Sequence, residues 1–294
     1  MRSRPKKRKS FNATPLLILV FLIGLSLLLY PTVSDYVNAM HQTKEIASYE
    51  EEIIRITDEE FESLRQDAKR FNEQIQGRKS LYALTDKEKE EYESLLDITD
   101  SGVMGYIEIP RLEVSIPIYH GTSESVLQRA IGHLEWTSLP VGGESTHCVL
   151  SGHRGLPSAK LFTNLDKLEL GDEFMLRVLN EVLTYEVDQI LIVEPRDTDA
   201  LKIIEGGDYC TLVTCTPYGI NTHRLLVRGH RVENRTELSV PHLTADAVSI
   251  EPMLVAAALF AGVLLIVLIM SMFLSGKTDT DREEKKKQSQ MEED

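Results

Sequence analysis

The chain has 294 residues, a formal net charge of −14 and 42% hydrophobic residues. This length suits one catalytic domain with appendages, and the composition allows a sizeable hydrophobic core. The acidic charge excludes binding of nucleic acid through its phosphates. The acidic clusters lack the spacing of a calcium loop, so the sequence predicts neither a metal site nor a cofactor.

Residues 1–37 combine a basic N-terminus with an apolar segment. Six basic residues occur between Arg2 and Lys9, and apolar residues dominate from Leu16 to Tyr30. This pattern predicts a membrane anchor, although a cleavable signal peptide fits it as well. In both cases the basic end stays inside and the chain that follows is exported.

Residues 38–101 are rich in charged, helix-favouring residues. Apolar residues recur there at helical spacing, which predicts one or two amphipathic helices with a break near Gly77. Thr85 and Glu88 form the pattern of a capping box, which predicts a further short helix. We expect an extracellular helical and lid-like region in front of the catalytic domain.

Residues 102–235 have the pattern of short strands. Apolar and polar residues alternate from Gly105 to Gly121, and two prolines there indicate a bend. Further strand-like runs follow at 147–151, 174–179, 184–193, 209–214 and 224–232. Many short strands with few helices between them predict a mainly β fold, closed or nearly closed into a barrel.

The C-terminal part predicts a second membrane span. After a linker at 236–252, residues 253–274 form an uncharged apolar run of 22 residues. At about 1.5 Å per residue this run can cross a hydrocarbon layer of roughly 30 Å. The charged tail at 275–294 begins with basic residues and is expected inside. We therefore predict a cell-membrane protein, multi-pass or signal-cleaved and single-pass, with its catalytic domain outside the cell.

Three short segments are dense in reactive and turn-forming residues: 151–155, 211–217 and 221–229. Cys215 ends a predicted strand, and the thiolate of such a cysteine can act as a nucleophile. His153 can carry the proton, and Arg224 can stabilise the reacting carbonyl. Taken singly, these residues also fit an inert cysteine, a turn histidine and a surface cation. His223 is a second candidate for the base.

The motif Thr-Leu-Val-Thr-Cys at 211–215, followed by Thr-Pro-Tyr-Gly-Ile-Asn-Thr-His-Arg-Leu-Leu-Val-Arg-Gly, resembles the signature of sortases. It is most similar to the class C, pilin-polymerising group. Four earlier segments are similar to that group in the same order: 105–110, 117–121, 138–143 and 152–157. The resemblance covers about residues 85–235. It implies an eight-stranded sortase-type β-barrel with N-terminal helices and flanking transmembrane helices.

The resemblance also implies a two-step transpeptidation. Cys215 would cleave an LPXTG-like sorting signal, form a thioacyl enzyme and pass the acyl group to a pilin lysine. Thr214 and Leu139 are the candidate substrate-binding residues. The implied partners are pilins or surface proteins with such signals, an acceptor lysine and membrane lipid. Two alternatives remain open: attachment of surface proteins to a peptidoglycan amine, and a non-catalytic surface module that binds peptides.

The sequence departs from the class C pattern in the lid. Many members carry Asp-Pro-Trp or Asp-Pro-Phe ahead of the barrel, and neither tripeptide occurs here. The corresponding segment is 77–84, in which Leu81 and Tyr82 are the lid candidates. We expect Tyr82 to cover the site weakly or the site to be effectively lidless. Cys215 should then react with a thiol alkylator without a long lag.

Two further cysteines form the second departure. Cys148 lies five residues before His153, and Cys210 lies five residues before Cys215. The family fold places the two strands side by side, so the equal offsets predict that Cys148 and Cys210 touch. They would do so either as buried thiols or as a disulfide, which adjacent parallel strands often strain.

Overall fold

The computed structural model describes residues 14–76 and 84–234, together with positions 261, 262, 264, 265 and 269. It divides into two compact units, residues 1–32 with 247–294 and residues 33–246. Several predicted features lie outside the described residues: the linker at 236–252, the tail at 275–294, the lid candidates Leu81 and Tyr82, and, apart from those five positions, the second span at 253–274.

Helix α1 (Thr14–Ile53) begins in the first unit and continues into the second. Within the described part of the chain, it is the one helix long and apolar enough to cross a membrane. A signal sequence meets the same criterion, so both interpretations of the N-terminus remain. The helix does not stop at residue 37, because the charged residues that follow the apolar run also favour helix.

Two capping boxes start the next helices of the second unit. The Thr57 N–H donates to Glu60 Oε2 (2.9 Å) and the Glu60 N–H donates to Thr57 Oγ1 (3.3 Å) at the start of α2 (Asp58–Gln76). Thr85 and Glu88 form the same reciprocal pair at α3 (Asp86–Ser94), as the sequence predicted. A short α4 (Glu124–Leu127) follows within the barrel.

Eight strands form a closed barrel in the order β1-β2-β3-β4-β7-β8-β6-β5. Their bounds are β1 Val103–Ile109, β2 Val114–His120, β3 Ile131–His133, β4 Thr146–Ser151, β5 Glu173–Val178, β6 Glu181–Val193, β7 Asp208–Thr216 and β8 His223–Val232. The β2–β3 and β4–β7 pairs are parallel, and the other pairs are antiparallel. The predicted eight-stranded, mainly β fold with N-terminal helices is confirmed.

The N-terminal helices are part of the domain's core. The apolar face of α2 buries Phe61, Phe71 and Ile75, each contributing roughly 1.5–3 kcal/mol by leaving water. Asn72 makes two bonds with the Leu139 backbone: its Nδ2 donates to the carbonyl (3.2 Å), and its Oδ1 accepts from the N–H (2.7 Å). The helix therefore holds the β3–β4 connection in place.

Candidate active site

The parallel β4–β7 pair brings His153 and Cys215 to the same end of the barrel. Ser151 pairs with Val213; from there β7 continues for two residues to Cys215, and the chain after the end of β4 continues for two residues to His153. The Gly152 N–H donates to the Val213 carbonyl (3.0 Å), so the pairing extends beyond the end of β4. Because adjacent strands lie about 4.8 Å apart, the imidazole and the thiol start from neighbouring backbone positions.

Arg224 lies on β8, which borders β7 on the side opposite to β4. It is the direct partner of Cys215 in the antiparallel β7–β8 pair. Side chains of directly opposed residues share one face of the sheet, with Cβ atoms about 4.5–5.5 Å apart. Arg224 Nη1 donates to the carbonyls of Asn221 (3.3 Å) and His223 (3.1 Å). The backbone register therefore puts Arg224 directly opposite Cys215, on the other side of β7 from the loop that carries His153.

The thiol and the imidazole differ in exposure. Cys215 is half-buried and carries a free thiol. His153 Nε2 is buried and makes no hydrogen bond to any other described residue. A buried polar atom without a partner is rare in folded proteins. Among the described residues, this nitrogen therefore has no hydrogen bond that a proton transfer would have to break.

Arg154 and Asp166 are site residues that the sequence analysis missed. Arg154 Nη2 donates to Asp166 Oδ2 (2.5 Å), and its Nη1 donates to Thr216 Oγ1 (3.3 Å). Its guanidinium carbon lies 5.9 Å from the centroid of the Tyr218 ring, and only 9% of the side chain is exposed. Arg154 thus ties the loop after His153 to the segment after Cys215. Its position directly after His153 is the sequence signal that could have identified it.

A tight contact also holds the His153 loop. A Cβ atom at Gly152 would lie 2.7 Å from the buried Phe162 ring. The Phe162 N–H donates to the His153 carbonyl (3.2 Å). Only glycine allows this close approach, so the Gly-His dipeptide lies firmly against the barrel.

An apolar cluster shares the sheet face that carries Cys215. Side chains on a strand alternate between faces, so Cys215 lies on the same face as Val213, and Arg224 on the same face as Leu226. Val213 and Leu226 form a buried cluster with Val149 and Leu201, separate from the barrel core. This cluster continues from the thiol along the outer side of the barrel.

Neither Thr214 nor Leu139 is open to a ligand in this conformation. Thr214 is 1% exposed, and its hydroxyl donates to the Gly152 carbonyl (2.8 Å). Successive side chains on a strand point to opposite faces, so Thr214 points inward where Cys215 points outward. Leu139 is fully buried in the barrel core. It follows Ser138, whose N–H donates to the His147 carbonyl near the start of β4, away from His153. Both residues support the framework of the domain.

His223 lies on the face opposite to the proposed catalytic residues. It pairs with Thr216, one position away from the Cys215–Arg224 pair, so its side chain alternates to the other face. Its Nδ1 atom lies 2.9 Å from Thr222 Oγ1 on the exposed β7–β8 loop. This position favours His153 over His223 as the base.

Cys148 and Cys210 are direct partners in the β4–β7 pair. Both side chains are buried, and both are free thiols in this structure. Among the described residues, no group of three or more histidine, cysteine, aspartate or glutamate side chains is arranged to hold a metal ion.

The comparisons with known proteins agree on one family. A family model described as a sortase domain matches residues 107–232. Sortase D of Bacillus subtilis is 31% identical over 131 residues, which cover 44% of this chain and 63% of the relative. Sortase E1 of Streptomyces coelicolor is 30% identical, with 44% and 40% covered. The matches thus span less than two thirds of these curated relatives.

Solved structures give fuller coverage. Sortase C1 of Streptococcus agalactiae is 51% identical with a TM-score of 0.63, covering 65% of this chain and 100% of that one. Sortase C of Streptococcus pneumoniae is 46% identical (TM-score 0.59; 65% and 97% covered). Sortase C of Clostridium perfringens, solved with the C-terminal cell wall sorting motif, is also 46% identical (TM-score 0.58; 65% and 99% covered). The chain therefore belongs to the sortase family of cysteine transpeptidases, with class C sortases as its structural neighbours.

Proposed function

We propose that this protein is a membrane-anchored transpeptidase that polymerises pilins, with Cys215 as its nucleophile, His153 as its acid and base, and Arg224 as its carbonyl-stabilising cation. The observation that supports the proposal is the register of β4, β7 and β8: Cys215 pairs directly with Arg224, and His153 follows the end of β4 by two residues, beside the end of β7. Side chains on strands, such as Cys215 and Arg224, are positioned more accurately than side chains on loops.

In the first step, the Cys215 thiolate attacks the carbonyl carbon of the Thr–Gly bond in an LPXTG-like sorting signal. Arg224 exchanges its two loop carbonyls for the developing oxyanion, to which its planar fork of donors is suited. The carbon–nitrogen bond breaks as His153 gives its proton to the leaving glycine amine. Leu191 and Val193, which are partly exposed and pack against the cluster of Val213 and Leu226, offer a surface for the apolar residues of the signal.

In the second step, a lysine amine of another pilin attacks the thioacyl carbon. His153 takes the proton from this amine, the carbon–sulfur bond breaks, and an isopeptide bond forms as Cys215 leaves as a thiolate. Two similar proteins support this choice of substrate: the sortase C structure from S. pneumoniae bears on pilin substrate specificity, and the one from C. perfringens contains a sorting motif. Membrane lipid around α1 and an extracellular domain complete the proposal.

The test uses the full-length protein in detergent with LPXTG-type peptides and a candidate pilin. We expect a ladder of covalent pilin oligomers and a thioacyl adduct on Cys215, and neither should form with Cys215→Ala. The matched control is Cys210→Ala, which removes a thiol from the same strand and should keep the ladder once thermal unfolding shows that it folds.

An added peptidoglycan stem peptide separates the two acceptors. If acyl groups go to the stem peptide and never to pilin lysine, the protein attaches proteins to the wall and the polymerisation proposal is wrong. If peptides bind but no adduct forms, the protein is a binding module and the catalytic proposal is wrong.

A further inference from the structure

Cys148 and Cys210 lie close enough together for their thiols to form a disulfide. The two residues oppose each other directly in the parallel β4–β7 pair, and both are free thiols. Neighbouring strands are about 4.8 Å apart, within the 4.4–6.8 Å range of Cα distances that a disulfide bridges. Their exposures are 3% and 0%, so the pair lies inside the barrel.

His133 lies beside this pair. It opposes Leu150 across the β3–β4 pair, and Cys148 lies two residues before Leu150 on the same face of β4. The His133 ring is fully buried. Its Nε2 lies 2.8 Å from the Ser138 carbonyl and its Nδ1 lies 3.0 Å from the Tyr92 hydroxyl, which hold the ring in place.

The two thiols are electrostatically unequal. Burial raises the pKa of Cys148, but the neighbouring Cys210 and His133 side chains outweigh it and lower the pKa to about 6. Burial, followed by the neighbouring Cys148, raises the pKa of Cys210 well above its usual value. Of the two thiols, Cys148 is therefore the one that more readily forms a thiolate, which is the form of cysteine that reacts with oxidants.

We propose that Cys148 and Cys210 form a peroxide-oxidisable dithiol, in which Cys148 is the attacking sulfur and Cys210 the resolving one. The Cys148 thiolate attacks one oxygen of hydrogen peroxide and the O–O bond breaks. Hydroxide departs, and Cys148 becomes a sulfenic acid. The Cys210 sulfur then attacks the Cys148 sulfur, the S–O bond breaks, and the departing hydroxyl takes the Cys210 proton to form water. The dithiol loses two electrons and the peroxide gains them.

The proposed disulfide joins the strands that carry the candidate active site. The disulfide would join β4 to β7 at positions five residues before His153 and five residues before Cys215. Neither His153 nor Cys215 takes part in the bond. The proposal does not depend on the proposed transpeptidase activity.

The test uses the full-length Cys215→Ala protein in detergent, so that the exposed thiol does not contribute. The folded, reduced protein is treated with hydrogen peroxide, then denatured and alkylated. We expect a mass loss of about 2 Da, a cross-linked peptide pair containing Cys148 and Cys210, and reversal by dithiothreitol. The oxidised form should also unfold at a higher temperature, because a cross-link constrains the unfolded chain.

Two matched variants test the assigned roles. In the Cys215→Ala background, Cys210→Ser should accumulate a sulfenic acid on Cys148 that dimedone traps, whereas Cys148→Ser should leave Cys210 unlabelled. Oxidation of the pair only after unfolding in urea would overturn the site. Labelling of Cys210 rather than Cys148 would overturn the assigned roles. The first experiment alone decides the site if either buried serine prevents folding.

Discussion

Strand β4 with the loop that follows it, and strand β7, carry two chemically different pairs: Cys148 with Cys210 within the strands, and His153 with Cys215 beyond the end of β4. The first pair is buried inside the barrel, whereas Cys215 is half-buried at the rim. Five residues separate Cys210 from Cys215 on β7, and an odd separation places their side chains on opposite faces. The difference shows that these paired strands direct one face into the barrel core and the other face towards the candidate active site.

The largest expected effect concerns the proton carrier at the rim of the barrel. His153→Ala should lower kcat/KM for acyl transfer by about 10²–10⁴-fold, because it removes the proton carrier. His223→Ala is the matched control and should keep near-normal activity, because His223 alternates to the other face. Steady-state kinetics with an LPXTG-type peptide measure both. Equal losses in the two variants would contradict the assignment of the base.

The next effect concerns the inner face. Leu139→Ala should destabilise the domain by about 2–5 kcal/mol, because it leaves a cavity in the core. Chemical denaturation followed by the fluorescence of Trp136, the single tryptophan, measures the change. Leu170→Ala is the control, since that leucine is 67% exposed. A raised KM for peptide with unchanged stability would restore Leu139 as a substrate-binding residue.

Arg224→Lys tests the cation on the outer face. Lysine keeps the charge but loses the planar fork of donors, so we expect kcat to fall by about 10²-fold with a smaller change in KM. Single-turnover formation of the thioacyl adduct measures this step directly. A normal rate with lysine would show that charge alone is sufficient.

A smaller effect should follow from Arg154, a positioning residue between the two loops of the site. Arg154→Gln removes the bond to Asp166, and we expect kcat to fall by about 10-fold and the pH–rate profile to shift. Arg154→Lys should recover part of the rate. The control Arg70→Gln removes an exposed arginine paired with Asp67 and should change neither quantity. An unchanged pH profile in Arg154→Gln would reduce its role to stability.

The last prediction is a pH dependence of stability from Cys148. Its folded pKa of about 6 lies below the value of about 8.5 for an unfolded cysteine. The folded protein therefore loses this proton first, so its stability rises as the pH increases from 6 towards 8 and is lost as the pH falls through 6. Thermal unfolding of reduced Cys215→Ala, with and without Cys148→Ser, measures the difference. Parallel pH curves would contradict a thiolate at Cys148.

Prediction from the sequence succeeded where the signal is local or periodic. Thr85 and Glu88 form the predicted capping box, and the strand-like runs predicted every strand of the barrel except the short β3. The sequence does not show burial, which bears on the two candidate substrate-binding residues. Thr214 stands next to Cys215 in the motif, but adjacent residues of a strand face opposite sides, and Thr214 faces inward. Leu139 is buried in the core, and its backbone N–H donates to Asn72. Their role in substrate binding stays a prediction.

The residue types capable of chemistry, the helix starts and the alternating strands were readable from the chain alone, because they depend on neighbours a few residues away. The pairing of Cys148 with Cys210, the position of His153 beside the end of β7 and the bond of Arg154 to Thr216 join residues far apart in the chain. These contacts exist because closing the barrel brings distant segments into one register. They became visible only in the folded protein.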